Sequence, residues 1–364
     1  MQAAVLYKPN TPLVIKDLEQ EPPKAGEVLI RIGAAGICAS DHHVMKGTAV
    51  LPLPCVLGHE GAGTVEAIGE GVMTVKPGDR CILSFVSNCG HCESCRNGHP
   101  QVCDTNGLTG ARQYDGTVRL HDDDGAEVFQ MGKLGVFGEY VTCPEQACFP
   151  IPAEVPMDVA ALIGCCVTTG VGAVLREPAM KSGKTVAVFG CGGVGLNSIQ
   201  GARLMSASRI IAVDVIDDKL EFARGFGATD VVNSRSVDPV AAIKELTGGG
   251  VDLAFDTYGS GETTRQAVES LRKNGSAVVV GIAPIEDRSQ IDLVDMVRQQ
   301  KHLSGCYYGS GSPFEMFGAL VGFYLDGRID VDGLIKRRYK LSEINEAYDA
   351  LERGEDGRGV ILFD

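Results

Sequence analysis

The sequence predicts a two-domain α/β protein, in which a β-rich region precedes a doubly wound parallel sheet. The chain has 364 residues, more than the roughly 250–300 residues that one hydrophobic core usually serves. Residues 1–160 consist of short apolar runs separated by Gly and Pro, a pattern typical of irregular β structure. From about Lys184, strand-like and helix-like segments alternate, as βαβ units require.

Composition disfavours several classes of protein. The net charge of −14 argues against nucleic-acid binding, which needs a basic surface. We find no apolar run of the roughly 20 residues that span a bilayer, and Met1–Asp17 lacks the features of a secretory signal. We therefore expect a cytoplasmic protein without a membrane or nucleic-acid partner. In that compartment its 13 cysteines are not a disulfide framework, and metal binding is the first alternative.

In the β-rich region, three apolar, β-branched runs predict strands: Glu27–Ala34, Gly61–Ile68 and Arg80–Phe85. The segment Gly98–Gly135 is polar and is acidic at Asp122–Asp124. We expect this segment to be a surface excursion.

The second region begins with a continuous apolar strand, Thr185–Phe189. Further predicted strands are Arg209–Val213, Val231–Val232, Leu253–Phe255 and Ala277–Val280, and the helices between them are Val194–Met205, Asp217–Phe226, Pro239–Leu246 and Thr263–Leu271. This alternation predicts a buried parallel sheet. The chain then ends with the predicted helices Phe314–Leu325 and Ser342–Arg353 and the strand Gly359–Phe363.

A glycine motif connects the first strand of this sheet to its first helix. It comprises Gly190, Gly192, Gly193, Val194 and Gly195. In such a motif the first glycine makes a tight turn, the second admits a pyrophosphate and the last allows close helix packing. Asp214 ends the next strand, where an acid accepts hydrogen bonds from ribose hydroxyls and repels a 2′-phosphate. We therefore predict NAD rather than NADP, with Lys219 assisting; a turn without a ligand is the disfavoured alternative.

Four cysteines form a compact cluster in the sequence. Cys89, Cys92, Cys95 and Cys103 have the spacing C-x2-C-x2-C-x7-C. Four thiolates this close favour a closed, structural zinc site. An iron–sulfur cluster and thiols without metal stay open as alternatives.

Other segments show no clear function from spacing alone, but together they resemble one family. They are GICASDHH (36–43), GHEGAGTVEAIGEGV (58–72), CGHCESC (89–95), IGCCVTTG (163–170), VFGCGGVG (188–195), IIAVD (210–214) and INEAYDALERGEDGRGVI (344–361). In this order and along the whole chain, they resemble the zinc-dependent medium-chain alcohol dehydrogenases, in their longer, liver-type branch. The resemblance implies a GroES-like catalytic domain (1–166 and 307–364), with a structural-zinc lobe at about 87–105. It also implies a Rossmann NAD-binding domain (167–306) and a homodimer formed near Gly281–Gly305.

The resemblance further implies a catalytic zinc held by Cys38, His59 and Cys165, giving two zinc ions per chain. Asp41 would hold His59 by its distal nitrogen, and Glu60 would lie beside the metal.

Other residues receive roles from the same resemblance. Ser40 matches the hydroxyl that contacts the reacting oxygen, and His43 matches the solvent end of a proton relay. The remaining matches are Arg358 at the cofactor pyrophosphate, Thr169 and Val194 at the nicotinamide, Phe85 and Phe137 as pocket walls, and Ala49 and Ile282 near the pocket, Ile282 also as a cofactor contact. Ala39 departs from the family pattern, because many relatives have Arg or His there to reach the cofactor phosphate.

The expected reaction interconverts a primary or aromatic alcohol and its aldehyde with NAD. A thiol-dependent formaldehyde dehydrogenase is a second possibility, but its acidic residues near Ala49 and its basic residue near Gly107 are missing. A polyol dehydrogenase is a third, disfavoured because such relatives tend to use Glu where this chain has Cys165. A lyase and a non-catalytic NAD-binding protein are weaker alternatives.

Overall fold

The alternating segments after Lys184 form one six-stranded sheet in the computed structural model, which describes residues 1–105 and 110–363. All its paired strands are parallel. Their spatial order is Asp230–Asn233, Arg209–Asp214, Thr185–Phe189, Val251–Asp256, Leu271–Val279 and His302–Gly305. The order reverses direction at Thr185–Phe189, and such a switch point leaves a crevice beyond the carboxyl ends of the strands, where ligands bind.

Helices cover this sheet because its strands are apolar on both sides. Val186, Ala187 and Val188 are fully buried, as expected in a parallel sheet. The associated helices are Gly193–Leu204, Asp217–Phe226, Pro239–Thr247, Gly261–Glu269 and Leu293–Gln299. Local signals fix their ends: the Asp238 carboxylate accepts the Ala241 N–H at 2.7 Å at the start of one helix, which satisfies a free N-terminal donor.

The rest of the chain forms two sheets of mainly antiparallel strands. One has the order Cys148–Pro150, Arg80–Leu83, Gly61–Ile68, Glu27–Gly36, Arg358–Leu362 and Ile335–Tyr339, with Tyr140–Pro144 also paired to Glu27–Gly36. The other has the order Val14–Asp17, Gln2–Leu6, Cys55–Val56, Glu127–Gln130, Leu120–His121 and Glu19–Gln20. The C-terminal strand therefore returns to the N-terminal half and pairs antiparallel with Glu27–Gly36.

The remaining helices include Ala39–Met45, Glu93–Arg96, Pro313–Leu325 and Ile344–Glu352. The helical stretch Met157–Leu175 is long and apolar enough to cross a membrane, contrary to the expectation from the sequence, but 83% of its most apolar window is buried inside the structure. That burial is expected of a core helix.

Most predicted elements lie within one or two residues of the observed ones, and Gly61–Ile68, Thr185–Phe189 and Asp217–Phe226 have the predicted bounds. The helix predicted over Thr263–Leu271 ends earlier, because Leu271 is the first residue of a buried strand.

The prediction of a surface excursion over Gly98–Gly135 is wrong for its second half. That half contributes two strands, and the Arg119 side chain within it is fully buried. Arg119 donates to both carboxylate oxygens of Glu27, at 2.8 and 2.5 Å, and to Asp115 at 2.8 Å. Its charge is thus compensated inside the fold, a pairing that the polar composition did not reveal.

Candidate active site and zinc clusters

Three separate parts of the chain bring two thiols and an imidazole together. Cys38 precedes the helix Ala39–Met45, His59 follows a short strand, and Cys165 lies 106 residues beyond His59 in the helical stretch Met157–Leu175. Ligand atoms of Cys38, His59, Cys165 and Glu60 all lie within 4.8 Å of one another. Two sulfurs and one nitrogen with an open fourth position are the donor set of a catalytic zinc site.

Protonation within this cluster is strongly perturbed. A hydrogen bond from Cys165 and the nearby His59 hold the pKa of Cys38 well below its usual value, although burial opposes this shift. Burial lowers the pKa of His59, but the charges of Asp41 and Cys38 outweigh it and raise that pKa well above its usual value. The cluster therefore pairs a thiolate with a protonated imidazole, and a bound metal cation would replace that imidazole proton.

Asp41 orients His59. Its Oδ1 accepts a hydrogen bond from His59 Nδ1 at 3.1 Å and from the Gly58 N–H at 2.9 Å. Asp41 is fully buried, so this contact leaves Nε2 of His59 for a metal. The predicted position of Asp41 behind His59 agrees with this geometry.

Glu60 and Arg358 form a buried ion pair beside the cluster. Arg358 Nη2 donates to Glu60 Oε2 at 2.7 Å and to the Ile37 carbonyl at 2.5 Å. Glu60 Oε1 has no hydrogen-bond partner in the described part of the chain. Burial raises the pKa of Glu60 to about 8, against the opposing charge of Arg358.

Arg358 also reaches the glycine motif. A Cβ on Gly193 would lie 2.5 Å from Arg358 Nη1, so the guanidinium covers the first residue of the helix Gly193–Leu204. The sequence predicted this side chain at the cofactor pyrophosphate but did not predict its pairing with Glu60. Arg358 thus links the thiol cluster to the expected cofactor crevice.

The four cysteines Cys89, Cys92, Cys95 and Cys103 also converge, with their sulfurs within 4.8 Å of one another. Backbone N–H groups point at the sulfurs: Cys89 N–H donates to Cys103 Sγ and Cys92 N–H donates to Cys89 Sγ, both at 3.3 Å. Burial raises the pKa of Cys103, but the Cys89 N–H and the Thr105 hydroxyl outweigh it and lower that pKa to about 6. Four converging cysteines of this kind, three of them partly buried, fit a closed zinc site.

The glycine motif has the geometry that a dinucleotide needs. Gly190 has φ +95°, a left-handed conformation, and a Cβ on Gly195 would lie 1.8 Å from the Gly190 carbonyl oxygen. A Cβ on Gly192 would meet no atom within 4 Å, so this glycine leaves open space beside the helix N-terminus, where a pyrophosphate can bind.

Asp214 closes the motif from the next strand. Its carboxylate accepts the Cys191 N–H at 2.8 Å and the Val215 N–H at 2.7 Å, and the residue remains partly exposed. Lys219 extends away towards the C-terminal segment, with its Nζ 3.8 Å from the position of a Cβ on Gly354. Asp214 therefore holds the glycine motif through the Cys191 N–H and is still partly exposed at the carboxyl end of its strand.

An apolar cavity of about 320 Å³ lies beside Ser40 and His43, on the helix that follows Cys38. Its lining residues come from both halves of the chain: Ser40, His43, Val44, Thr48, Ala49, Val50, Leu51, Met131, Ile282, Ala283, Pro284 and Ile285. His43 Nδ1 lies 3.1 Å from Thr48 Oγ1. None of these lining residues is Asp, Glu, Lys or Arg, so the described surface of the cavity suits an apolar ligand.

Comparison with known proteins decides the family. Residues 24–153 match the family model described as "Alcohol dehydrogenase GroES-like domain", and residues 193–325 match "Zinc-binding dehydrogenase". Over 371 positions the chain is 36% identical to the S-(hydroxymethyl)glutathione dehydrogenase of Saccharomyces cerevisiae, covering 100% of this chain and 96% of that protein. The chain belongs to the zinc-dependent medium-chain alcohol dehydrogenases.

Solved structures support the same family assignment. The dehydrogenase is similar to the benzyl alcohol dehydrogenase of Acinetobacter calcoaceticus, with a TM-score of 0.95, 33% identity, and coverage of 100% of this chain and 99% of that one. An alcohol dehydrogenase zinc-binding domain protein of Burkholderia ambifaria gives the same TM-score with 34% identity, and coverage of 100% and 98%. The predicted family, fold class, enzyme class and cofactors are confirmed: the dehydrogenase is an oxidoreductase of small alcohols or aldehydes that uses zinc and NAD.

Two of the predicted aromatic residues differ in their placement. Phe85 lies against the cluster, with its ring edge-to-face with His59 at 5.2 Å between centroids. Phe137 has no exposed surface and packs against Tyr348 in the core, so its prediction as a pocket wall is corrected. Met131 lines the cavity instead; sequence reasoning missed it because an isolated Met in a turn carries no signal.

Ala49 and Ile282, which the resemblance puts near the pocket, line the cavity, as do Ser40 and His43 of the predicted proton relay; Ile282 is 61% exposed. Thr169 lies on the helix Thr168–Leu175, which packs on the turn at Val194: a Cβ on Gly170 would lie 2.3 Å from the Val194 carbonyl oxygen. Both residues therefore border the junction between the cluster and the glycine motif.

Proposed function

We propose that the dehydrogenase interconverts a primary or aromatic alcohol of apolar character and its aldehyde. The observation that carries this proposal is the apolar cavity at Ser40 and His43, on the helix that follows Cys38, whose described lining has no Asp, Glu, Lys or Arg. Cys38, His59 and Cys165 would hold the catalytic zinc. The four-cysteine cluster at 89–103 would hold a structural zinc.

When bound, zinc acts as a Lewis acid on the alcohol oxygen and NAD accepts the hydride. The chain's own residues bind, orient and move the proton. Ser40 and His43 both face the cavity, so the Ser40 hydroxyl can donate to or accept from the substrate oxygen and His43 can exchange the proton with solvent. Thr48 holds the His43 ring at 3.1 Å.

For NAD, we propose that the N–H groups at Gly192 and Gly193 and the Arg358 guanidinium bind the pyrophosphate. Asp214 would accept hydrogen bonds from the adenosine ribose, with Lys219 nearby. Thr169, Val194 and Ile282 would contact the nicotinamide, since they border the junction between crevice and cavity.

A second candidate substrate is the formaldehyde–glutathione adduct, favoured by the name of the yeast relative. Such an adduct carries charged groups that need charged partners. Arg112, the arginine closest in the sequence to Gly107, is already paired with Glu127 at 3.0 and 2.6 Å. The position near Gly107 lies outside the described residues.

A polyol substrate is a further alternative, because Glu60 lies within the metal-binding group. The ion pair with Arg358 at 2.7 Å engages one of its carboxylate oxygens. This geometry supports the thiol pair over a carboxylate as the resident ligand set.

A substrate panel tests the proposal. NADH formation or consumption would be followed with benzyl alcohol, hexanol, a terpenoid alcohol, sorbitol, and formaldehyde with and without glutathione, using the Cys38→Ala variant as the inactive control. We expect the highest kcat/KM with the aromatic or long aliphatic alcohols. A highest value for formaldehyde with glutathione, or for sorbitol, would instead support the corresponding alternative.

We also propose the domain division 1–166 with 307–364 and 167–306, a cytoplasmic location, and a homodimer. The edge strand His302–Gly305 is exposed along its length. In the preceding helix, Leu293–Gln299, the exposed fractions of Leu293 and Val297 are 73% and 79%. An unpaired edge next to an apolar helix face is suited to pairing with a second copy.

A further inference from the structure

The proposed zinc ligand Cys165 lies in a distorted stretch of helix. The stretch Met157–Leu162 is α-helical, Ile163–Val167 forms a wider π turn, and Thr168–Leu175 is again α-helical. Single π turns inside α-helices recur at functional sites. Because the turn breaks the regular i to i+4 ladder, its carbonyl groups need donors from elsewhere.

Two side-chain hydroxyls supply those donors. Thr168 Oγ1 donates to the Ile163 carbonyl at 2.6 Å, and the Tyr308 hydroxyl donates to the Gly164 carbonyl at 2.5 Å. Thr168 belongs to the same helical stretch, whereas Tyr308 comes from 144 residues further along the chain. Tyr308 is 2% exposed, so water does not readily replace its hydroxyl at the carbonyl adjacent to Cys165.

The backbone around Tyr308 is held in an uncommon conformation. Tyr308, Gly309 and Ser310 have φ of +52°, +77° and +58°, although a positive φ costs energy in residues other than glycine. The segment packs closely on the helix, since a Cβ on Gly172 would lie 2.8 Å from Gly309 Cα. Strained backbone of this kind persists only where the surroundings fix it, and it is concentrated at functional sites.

The Tyr308 ring supports a second proposed ligand. Its centroid lies 4.4 Å from that of Phe85, and the Phe85 ring packs edge-to-face on His59 at 5.2 Å. One side chain therefore reaches Cys165 through the Gly164 carbonyl and His59 through Phe85. Tyr308 also follows the last strand of the parallel sheet, His302–Gly305, by three residues, and so ties that strand to the cluster.

We propose that Tyr308 is a positioning residue that fixes Cys165 and His59 in the geometry of the catalytic zinc site. This inference rests on the proposed assignment of Cys38, His59 and Cys165 as zinc ligands. Groups that orient metal ligands typically change metal affinity or activity about 10- to 100-fold when they are removed.

The test replaces Tyr308 by Phe, which removes only the hydroxyl. Release of zinc to a chelator should become about 10- to 100-fold faster for one of the two ions. In enzyme loaded with cobalt, the visible absorption of the catalytic site should shift, because its thiolate geometry changes. The matched control is Tyr324→Phe, whose hydroxyl bonds Asp332 at 3.0 Å at an exposed site; neither measurement should change.

Three results separate the possibilities. Unchanged zinc release and an unchanged cobalt spectrum in Tyr308→Phe would overturn the positioning role. If Cys38→Ala keeps both zinc ions, the ligand assignment itself fails, whatever Tyr308→Phe shows. If Tyr308→Phe does not fold, Phe85→Leu decides, because it removes the ring contact to His59 and leaves the hydroxyl: faster zinc release supports the role of Tyr308, and unchanged release overturns it.

Discussion

Replacing Arg358 by Met removes two contacts at once: the ion pair with Glu60 and the contact with Gly193 at the glycine motif. In the structure Arg358 is 6% exposed and Glu60 is fully buried, and their ion pair measures 2.7 Å. At pH 9, above the pKa of about 8 that burial gives Glu60, removing the guanidinium leaves a buried carboxylate without its charged partner. Breaking one side of a buried pair costs about 3–5 kcal/mol. With a midpoint shift of about 2–4 °C per kcal/mol for a domain of this size, thermal unfolding should occur about 6–20 °C lower.

The same change should weaken NAD binding, because Arg358 Nη1 covers Gly193. Loss of one hydrogen bond to a charged phosphate costs about 1.5–3 kcal/mol, or about 10- to 150-fold in KM for NAD. The double variant Arg358→Met/Glu60→Gln separates the effect on stability from the effect on NAD binding, because it also removes the uncompensated charge of Glu60. We expect it to recover most of the unfolding temperature and none of the NAD affinity.

The assay is thermal unfolding of the NAD-free enzyme beside steady-state kinetics with varied NAD. The reasoning is refuted in two ways. If the double variant also restores KM for NAD, Arg358 acts on the cofactor only through Glu60. If the single variant unfolds within about 1 °C of the wild type, the buried pair contributes little to stability.

Four further predictions follow from the same structure. Cys38→Ala should abolish turnover and leave about one zinc per chain by elemental analysis. Cys103→Ala should also lower the metal content from two zinc ions per chain to one. Ser40→Ala should lower kcat by about 10²- to 10⁴-fold with both zinc ions retained; loss of zinc in parallel would remove Ser40 from the proton path. Val297→Asp should dissociate the proposed dimer into monomers in sedimentation, since it places a charge on the apolar face that we propose to pair. Ala39→Arg should slow NADH dissociation in stopped flow by adding a phosphate contact, and an unchanged rate would show that another side chain already compensates.

The parallel sheet was predictable because its signals are local. Thr185–Phe189 is apolar without interruption, the glycines follow at once, and Asp214 ends the next strand. Each of these features depends on neighbours within a few residues. These local signals therefore identify the strand, turn and helix, whereas the crevice also needs Thr185–Phe189 to pair with Val251–Asp256.

The thiol cluster was not predictable from spacing, and only the family resemblance assembled it. Cys38 and Cys165 are 127 residues apart, and no local pattern specifies the π turn that carries Cys165. The same limit explains the error at Phe137. An aromatic residue near a predicted pocket can equally well fill the core. Only the fold shows that Met131 lines the cavity and that Phe137 packs against Gly58. A Cβ on that glycine would lie 3.0 Å from the Phe137 ring.

The thirteen cysteines, all of them free thiols in the described chain, show how environment divides one residue type into two uses. Burial raises the pKa of Cys55, Cys166 and Cys191, which keeps these thiols neutral, so they pack as small apolar groups. Around Cys38 and Cys103, hydrogen bonds from neighbouring groups overcome the same burial and lower the pKa. Lowered pKa values do not mark every proposed ligand, since the hydrogen bond to Cys38 and burial raise the pKa of Cys165, and burial raises that of Cys95. A metal ligand must be a thiolate, so a bound zinc ion would have to deprotonate both, and the convergence of the sulfurs in space, rather than the number of cysteines, separates ligands from packing residues.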